Sequence, residues 1–270
     1  MVKHDRGNFE TVMKKLIALF TRIFPRQTLI RFSGLFSFLI RPFYIGNKVE
    51  CPVCGKHFRK FLPYGYGKAT ENRMCPKCLS LERHRLLWLY LKGKTGFFKD
   101  NLKVLHFAPE QPFLKRFRAL KNLDYTTADI DSPIADLKLD VTNIKLPDNQ
   151  YDVVICNHVL EHVNDVNKAF SEIKRILKPG GWAILMVPIN PNVDTWEDPS
   201  ITDPEERKRN FGQYDHVRQF GRDYAQVLEN AGFTVDADRL YYELTEEQRA
   251  RMRLARPGEE LIYRVIKTKQ

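Results

Sequence analysis

The chain has 270 residues, of which 43% are hydrophobic, so it can bury a sizeable core, and its composition excludes an intrinsically disordered protein. Its net charge of +11 is unevenly distributed, because residues 1–100 contain 20 Lys/Arg against 6 Asp/Glu, whereas residues 101–270 contain 24 against 27. Any role that depends on positive charge therefore belongs to the first hundred residues.

Residues 1–48 are predicted to form a basic amphipathic helical segment. Apolar residues between Val12 and Phe24 fall on one side of a first helix, and a second apolar stretch carries Arg31 and Arg41 but no acidic residue. Such a segment can lie in a membrane interface or pack as a helical cap on the main domain. We recognise no cleavable signal and no membrane-spanning run, and so we expect a cytoplasmic protein, with a peripheral position on the membrane as the alternative.

Residues 49–80 contain the strongest metal-binding pattern of the chain. Two C-x2-C pairs separated by 20 residues supply four thiolates: Cys51, Cys54, Cys75 and Cys78. This spacing is typical of a zinc ribbon in a reducing compartment. Four protein ligands leave no open position for a substrate, so the zinc is predicted to be structural, and its binding would supply much of the folding free energy of so short a segment.

Residues 81–100 are predicted to contain a connecting helix, whose charged side carries Arg83, His84 and Arg85. From residue 101 to residue 270, short apolar runs alternate with helical patterns. Strands are predicted at 103–107, 124–129, 151–157, 182–188, 233–243 and 260–268, and helices near 111–120 and 165–177. This alternation predicts parallel βαβ units and a doubly wound α/β sheet, with one antiparallel strand among the last two.

The stretch NHVLEHV, residues 157–163, permits two interpretations. His158, Glu161 and His162 have the H-x-x-E-H spacing of a zinc hydrolase helix. The stretch directly follows a predicted buried strand, however, so its histidines stand at a strand-to-helix junction and the hydrolase interpretation is disfavoured. In open α/β sheets, ligands bind at the carboxyl ends of the strands, which makes this junction a candidate ligand site.

Several segments of residues 103–268 together resemble one family. YDVVICNHVLEHVNDVNKAFSEIKRILKPGGWAILMVP, DVTNIKLPDNQYD, HVRQFG and AGF resemble the class I S-adenosylmethionine-dependent methyltransferases, especially their type 11 group. The resemblance implies a Rossmann-like doubly wound sheet of seven strands, S-adenosylmethionine as cofactor and methyl transfer as the activity. A zinc ribbon that ends in LERHRLLWLYL and precedes VLHFAPE is also similar to a branch of bacterial methyltransferases.

The first loop departs from the pattern of this family. The turn reads HFAPEQP, with His106, Ala108 and Glu110 where the family has an acid and glycines. Ala108 is small enough for the backbone to approach a cofactor closely, but Glu110 is not. Glu110 could instead bind the ammonium or ribose of the cofactor, or cap the following helix; the sequence leaves both open.

The resemblance implies further cofactor contacts after the other strands. Asp129 ends the second strand, 21 residues after Ala108, where the family has an acid that binds the ribose hydroxyls. Asp140 resembles the acid that receives the adenine amino group, with the Val141 backbone beside the ring. Asn157 would line the pocket near the methionine part or the acceptor. A turn or cap role is the alternative for either aspartate.

Methyl transfer to a hydroxyl or a protonated amine also needs a base. His158 and His216 are the candidates, and the alternative for each is a structural, hydrogen-bonded histidine. The segment 189–218 lacks clear periodicity and is predicted to be an acceptor-binding lid, with a solvated rim as the alternative.

Three functions are compatible with the sequence. The first is methyl transfer to a small molecule, lipid or saccharide, with contact between residues 1–48 and a membrane surface as an option. The second is RNA methylation, in which the basic zinc ribbon binds phosphates. In the third, the altered first loop no longer binds the cofactor, and the chain is a non-catalytic interaction module.

Overall fold

The computed structural model describes residues 37–65, 69–254, 258 and 260–268. Its contacts divide the chain into two compact units, Met1–Leu81 and Glu82–Gln270. Most of the amphipathic segment predicted at residues 1–48 lies outside the described residues, and the four-part division predicted from the sequence stays a prediction. Within the described residues, no helix combines the length and the apolar character needed to cross a membrane.

The first unit contains two antiparallel hairpins. A 3-10 helix, Arg41–Tyr44, precedes strands β1 (Ile45–Cys51) and β2 (Lys56–Phe58), which pair with each other. Strands β3 (Leu62–Tyr64) and β4 (Thr70–Met74) form the second hairpin. Among the described residues of this unit, the large apolar side chains buried beside the cysteines include Val49, Val53, Phe58, Phe61 and Leu62. The dependence of its folding on metal stays a prediction.

The second unit alternates strands and helices. Its helices are α1 (Glu82–Gly93), α2 (Gln111–Arg118), α3 (Val166–Ile176), α4 (Pro204–Phe211), α5 (Tyr224–Asn230), α6 (Leu240–Glu243) and α7 (Glu246–Met252), with a 3-10 helix at Leu160–His162. Its strands are β5 (Leu102–Phe107), β6 (Leu123–Asp129), β7 (Leu137–Lys138), β8 (Tyr151–Cys156), β9 (Leu177–Ile184), β10 (Ile189–Asn190), β11 (Trp196–Glu197), β12 (Arg218–Gly221), β13 (Thr234–Asp238) and β14 (Ile262–Ile266).

Seven of these strands form one sheet in the order β13-β14-β9-β8-β5-β6-β7. Neighbours from β9 to β7 are parallel, whereas β14 is antiparallel to both β9 and β13. The predicted Rossmann-like doubly wound sheet of seven strands is therefore confirmed. The chain leaves β5 towards β6 on one side and returns to β8 on the other, so the strand order reverses between β5 and β8, and such a point is where open α/β sheets bind ligands.

Burial on both faces explains why the central strands read as continuous apolar runs. Val153, Val154, Ile155 and Cys156 of β8 are all completely buried, as expected of a parallel strand that is covered on both faces. Helix α3 is amphipathic and buries Ala169, Phe170, Ile173 and Ile176. Each large apolar side chain removed from water contributes about 1.5–3 kcal/mol, so this layer is a major source of stability.

Two strand predictions were wrong in their extent. Residues 239–243 were predicted as strand, but Asp238 Oδ1 accepts a hydrogen bond from Leu240 N at 2.8 Å, and the chain turns into helix α6. The strand predicted at 182–188 begins earlier and ends at Ile184. Beyond it, Met186 hydrogen-bonds to residues 157 and 158 and not to a neighbouring strand.

The charged side predicted for the connecting helix was also wrong in part. His84 and Arg85 of α1 are 5% and 0% exposed. Arg85 donates to the main-chain oxygens of Met252 and Arg253, at 2.7 and 2.6 Å, so its charge is buried at the end of α7. The segment 189–218, predicted to be aperiodic, contains β10, β11 and helix α4, which Asp203 caps by accepting from Glu206 N.

Candidate functional site

The loop after β5 has an unusual backbone conformation. Ala108 has φ +47°, in the left-handed region that favours glycine, and its N–H donates to Ala128 O of β6 at 2.8 Å. An L-residue with a Cβ costs about 1 kcal/mol or more there, so alanine is tolerated only because the surrounding bonds fix the loop. The chain therefore keeps the shape of a glycine turn at the end of β5 without a glycine.

Glu110 lies at the centre of a buried polar cluster at this loop. Its Oε1 is 3.0 Å from Nε2 of His84, and its Oε2 is 3.4 Å from Nε2 of His106 and accepts from Nδ2 of Asn157 at 3.2 Å. Burial alone raises the pKa of the Glu110 carboxyl, but the two histidines outweigh this effect and hold the pKa well below its usual range. Glu110 precedes α2 without capping it, because its side chain accepts no hydrogen bond from that helix.

Two more residues of the predicted site follow β8. Asn157 is 3% exposed and accepts from Met186 N, at 3.3 Å, through its side-chain oxygen. His158 has φ +54°, and its N–H donates to Met186 O at 2.7 Å. The Nδ1 atom of His158 lies 3.4 Å from Oε1 of Glu161, whereas its Nε2 is buried without a hydrogen-bond partner in the described chain.

Of the two predicted aspartates, Asp129 is the last residue of β6 and Asp140 follows β7. Asp129 Oδ1 accepts from the N–H groups of Asp131 and Ser132, at 2.8 and 2.7 Å. Asp140 Oδ1 accepts from the N–H and hydroxyl of Thr142, both at 2.8 Å. Each aspartate thus stabilises a turn with one oxygen, and the structure gives its Oδ2 no partner within the described residues. The turn role and a ligand role are compatible here. Val141 is buried beside Asp140.

His216 was predicted as a candidate base, and the structure places it in another cluster. Its ring contacts that of His162, with centroids 4.8 Å apart, and both lie near the buried carboxylate of Glu161. Burial lowers the pKa of His216. Burial raises the pKa of Glu161, but the hydrogen bond and charge of His158 outweigh this, and the net shift is downward. Glu161 therefore lies near both candidate bases, His158 and His216.

Arg218 holds this second cluster in place. Its side chain is 2% exposed and donates to the main-chain oxygens of Leu160, Val163 and Asn164. Both Nε and Nη2 lie within 2.7 Å of Oε2 of Glu197. This arginine therefore ties the loop after β8 to the segment that was predicted as a lid.

The four cysteines of the first unit come together as predicted. The Sγ atoms of Cys51 and Cys78 are 3.5 Å apart, and those of Cys54 and Cys75 are 3.7 Å apart. A zinc ion about 2.3 Å from each of four thiolates holds the sulfurs about 3.8 Å apart, so the cluster has the dimensions of a zinc site. Ser80 Oγ lies 3.2 and 3.3 Å from the sulfurs of Cys51 and Cys78, where it can support the ligands.

The two cysteine knuckles have the same backbone conformation. Gly55 and Leu79, each directly after the second cysteine of a pair, have φ +61° and +60°. Their N–H groups donate to the main-chain oxygens of Cys51 and Cys75, at 2.8 and 2.9 Å. This repeated turn aims both thiols of each pair at one point.

Sequence reasoning missed His84, Ser80 and Arg218 as parts of these clusters. His84 and Arg218 had been assigned to a charged helix side and to the end of a lid, because a charged letter predicts exposure unless its partner is known. Glu161 and His162 were noticed as part of an H-x-x-E-H spacing, but their partner His216 stands 54 residues after His162 and shares no local pattern with it.

The sheet order and the polar side chains at the reversal between β5 and β8 define a Rossmann-like doubly wound domain with a candidate ligand site at that reversal. Residues 97–185 match the family described as "Methyltransferase domain", so this part of the chain is a methyltransferase domain.

Two curated proteins are similar over short stretches. A segment of 57 residues is 40% identical to the uncharacterized protein YafE of Escherichia coli (strain K12) and covers 20% of this chain and 28% of that protein. A segment of 67 residues is 33% identical to the 2-phytyl-1,4-naphtoquinone methyltransferase of Nostoc punctiforme and covers 24% of this chain and 29% of that protein. The matched part thus spans less than a third of the length of either relative.

Among solved structures, an S-adenosylmethionine-dependent methyltransferase from Mesorhizobium loti is similar, with a TM-score of 0.43 and 16% sequence identity. The similarity covers 67% of this chain and 96% of that one.

Proposed function

We propose that this chain transfers a methyl group from S-adenosylmethionine to a small molecule, lipid or saccharide. The observation that carries the proposal is the left-handed turn at Ala108, at the end of β5, flanked by the carboxylate of Asp129 and the amide of Asn157 at the ends of the two neighbouring strands. S-adenosylmethionine supplies an electrophilic methyl group on a sulfonium centre, so the protein must chiefly orient donor and acceptor and exclude water.

The residues at the carboxyl ends of these strands each have a role in the proposed cofactor site. The turn at Ala108 lets the backbone approach the cofactor, and the free oxygens of Asp129 and Asp140 accept from the ribose hydroxyls and the adenine amino group. Ile130 was not singled out from the sequence, but it is 57% exposed directly after Asp129 and offers an apolar surface to the adenine ring. The Val141 backbone, next to Asp140, is the other group that we assign to the adenine ring.

Glu110 stands in the loop where the family has glycines, and we assign it a different role. Its carboxylate is held by His84, His106 and Asn157, so it fixes the loop by polar contacts where the family pattern uses glycine. The same negative charge attracts the ammonium group of the methionine part of the cofactor. We assign Glu110, His106 and Asn157 to this end of the cofactor site.

His158 is the better placed of the two candidate bases. Its Nδ1 faces Oε1 of Glu161 at 3.4 Å, and a proton on Nδ1 leaves the lone pair on the unpartnered Nε2. A histidine oriented in this way by a carboxylate can take the proton of a hydroxyl or ammonium acceptor as the methyl group arrives.

Calorimetry of the full chain with S-adenosylmethionine tests the cofactor site. We expect micromolar binding, and in Asp129→Asn a loss of about 10- to 100-fold, since hydrogen bonds to a charged group contribute about 1.5–3 kcal/mol. The amide keeps an oxygen for the turn, and Asp131→Asn is the matched control, because the Asp131 side chain is 83% exposed. Absence of binding at millimolar cofactor would favour the non-catalytic interaction module, and equal binding by both variants would contradict the role of Asp129.

The first hundred residues, which carry the excess of positive charge, offer a test of the acceptor class. Phe38, Leu39, Phe43 and Ile45 are 51–73% exposed beside Arg41, as expected of a segment that contacts a lipid surface. We expect the full chain to sediment with anionic vesicles and Phe38→Ser/Phe43→Ser to do so less, with neutral vesicles as the control. Retention on RNA that falls steeply with salt, together with no vesicle binding, would favour RNA methylation.

A further inference from the structure

Three side chains that are not part of the proposed cofactor site come together from two distant segments of the second unit. One potential ligand atom each from Glu161, His162 and His216 lies within 4.8 Å of the other two. Glu161 and His162 belong to the 3-10 helix after β8, and His216 stands two residues before β12. A main-chain hydrogen bond from Val217 N to Glu161 O, 2.9 Å long, holds the two segments against each other.

Two members of this cluster are buried and have unused polar atoms. Glu161 and His216 are 2% and 4% exposed. Nδ1 of His216 lies 2.9 Å from Phe211 O and therefore carries the proton, which leaves a lone pair on Nε2. This Nε2 and Oε2 of Glu161 are both buried, and neither has a hydrogen-bond partner in the part of the chain that the structure describes. Buried acceptors of this kind are normally paired, so both atoms are available to coordinate a ligand.

His162 has the same arrangement of partners. Its Nδ1 lies 3.2 Å from the main-chain oxygen of Asp215 and 3.5 Å from the Asp215 carboxylate. Histidines that bind metals almost always donate their other ring N–H to a carbonyl or a carboxylate, which fixes the tautomer and the ring orientation. Both histidines of the cluster thus have a supporting acceptor of the type that metal-ligating histidines use.

We propose that Glu161, His162 and His216 form a binding site for a divalent first-row transition-metal ion. Two imidazoles and one carboxylate are a known ligand set for such ions, and three protein ligands leave coordination positions open. An ion about 2.1 Å from each ligand atom needs those atoms about 3.0–3.4 Å apart, so the present spread of up to 4.8 Å closes by side-chain rotations of about 1 Å.

This site is not the one that the H-x-x-E-H spacing predicts. The triad of Glu161, His162 and His216 contains His216 in place of His158, the first residue of that motif. His158 lies next to the triad, with its Nδ1 3.4 Å from Oε1 of Glu161. The site also differs in ligand type from the four-cysteine cluster, where thiolates hold zinc more tightly than cobalt(II).

Titration with cobalt(II) of the full chain loaded with a single equivalent of zinc, which the four thiolates hold, tests the proposal when followed by calorimetry and by metal analysis after dialysis. We expect one further equivalent of metal per chain at micromolar affinity. Glu161→Gln, which keeps the side-chain size, should weaken cobalt binding at least tenfold. His57→Gln is the matched control, because His57 is a half-exposed histidine of the first unit that lies outside the triad.

A second variant keeps the test valid if Glu161→Gln disturbs folding. The His162 side chain is 35% exposed, so His162→Gln removes one ligand with little loss of packing, and circular dichroism checks that both variants are folded. A wild-type chain that takes up no cobalt in addition to its zinc would overturn the proposal. Folded Glu161→Gln and His162→Gln chains that both bind cobalt as tightly as the wild type would overturn it as well.

Discussion

Replacement of Arg218 by methionine should destabilise the second unit far more than the same replacement of Arg222. Both arginines pair with a carboxylate, but the Arg218 side chain is 2% exposed and the Arg222 side chain 64%. Methionine fills a similar volume and donates no hydrogen bond, so the comparison isolates the polar contacts.

The magnitude follows from the acceptors that Arg218 leaves behind. The bond to Leu160 O is buried, and its loss costs about 1.5–3 kcal/mol, because the donor is charged and the carbonyl cannot regain water. The bonds to Val163 O and Asn164 O are only partly buried, and Glu197 is half-exposed, so these acceptors regain some hydration and add about 0.5–1 kcal/mol each. We therefore expect a total of about 3–6 kcal/mol.

Urea unfolding, followed by circular dichroism at pH 7, measures the difference. The exposed pair of Arg222 with Asp194 should contribute between about 0 and 1 kcal/mol, as surface ion pairs do. If the unfolding free energies of Arg218→Met and Arg222→Met differ by less than about 1 kcal/mol, the buried contacts of Arg218 do not stabilise the fold as argued here.

Three further outcomes are expected. Plasma emission should find one zinc ion bound by the four cysteines, and Cys75→Ser should lose it and unfold the first unit at a lower temperature, whereas Cys156→Ser should retain it. Ala108→Gly should raise the midpoint of thermal unfolding, because glycine adopts this φ without the strain of about 1 kcal/mol that alanine has there. Ala108→Val should lower the midpoint. The folded pKa of Glu110 is lowered, so its contribution to stability is present above the unfolded pKa and is lost as the pH falls towards the folded value. Urea titrations at several acidic pH values should therefore show a weaker pH dependence in Glu110→Gln; an equal dependence would contradict the assignment.

The sequence predicted the fold where local pattern and burial agree. Strands β5, β6 and β8 lie within one residue of their predicted ranges. Strands β5 and β8 are largely buried apolar runs, whereas the partly buried β6 is rich in the aromatic and β-branched residues that favour strands. Residues 239–243 were misassigned because tyrosines favour strands, while a single hydrogen bond from Leu240 N to Asp238 turns the chain into a helix. Propensity describes a residue on its own, and this turn depends on one contact.

The buried charges were the least predictable feature. His84, Arg85 and Arg218 all read as solvent-exposed from their letters, but all are buried: His84 pairs with the Glu110 carboxylate, and main-chain oxygens of other elements accept hydrogen bonds from the two arginines. Arg85 donates to residues more than 160 positions away. A helical pattern indicates which side chains share a face, but it contains no information on whether a carbonyl of another element faces that side.

The loop at Glu110 shows how far a family pattern can be carried onto this chain. The pattern predicts a glycine-rich turn, and the backbone at Ala108 has the expected left-handed conformation although the glycine is absent. Glycine permits that conformation without outside help, whereas alanine needs neighbouring contacts to offset the strain. His84, His106 and Asn157 supply such contacts by holding Glu110, two residues further on. It follows that the departures at Ala108 and Glu110 compensate each other, so Ala108→Gly should stabilise the Glu110→Gln variant by more than it stabilises the wild type.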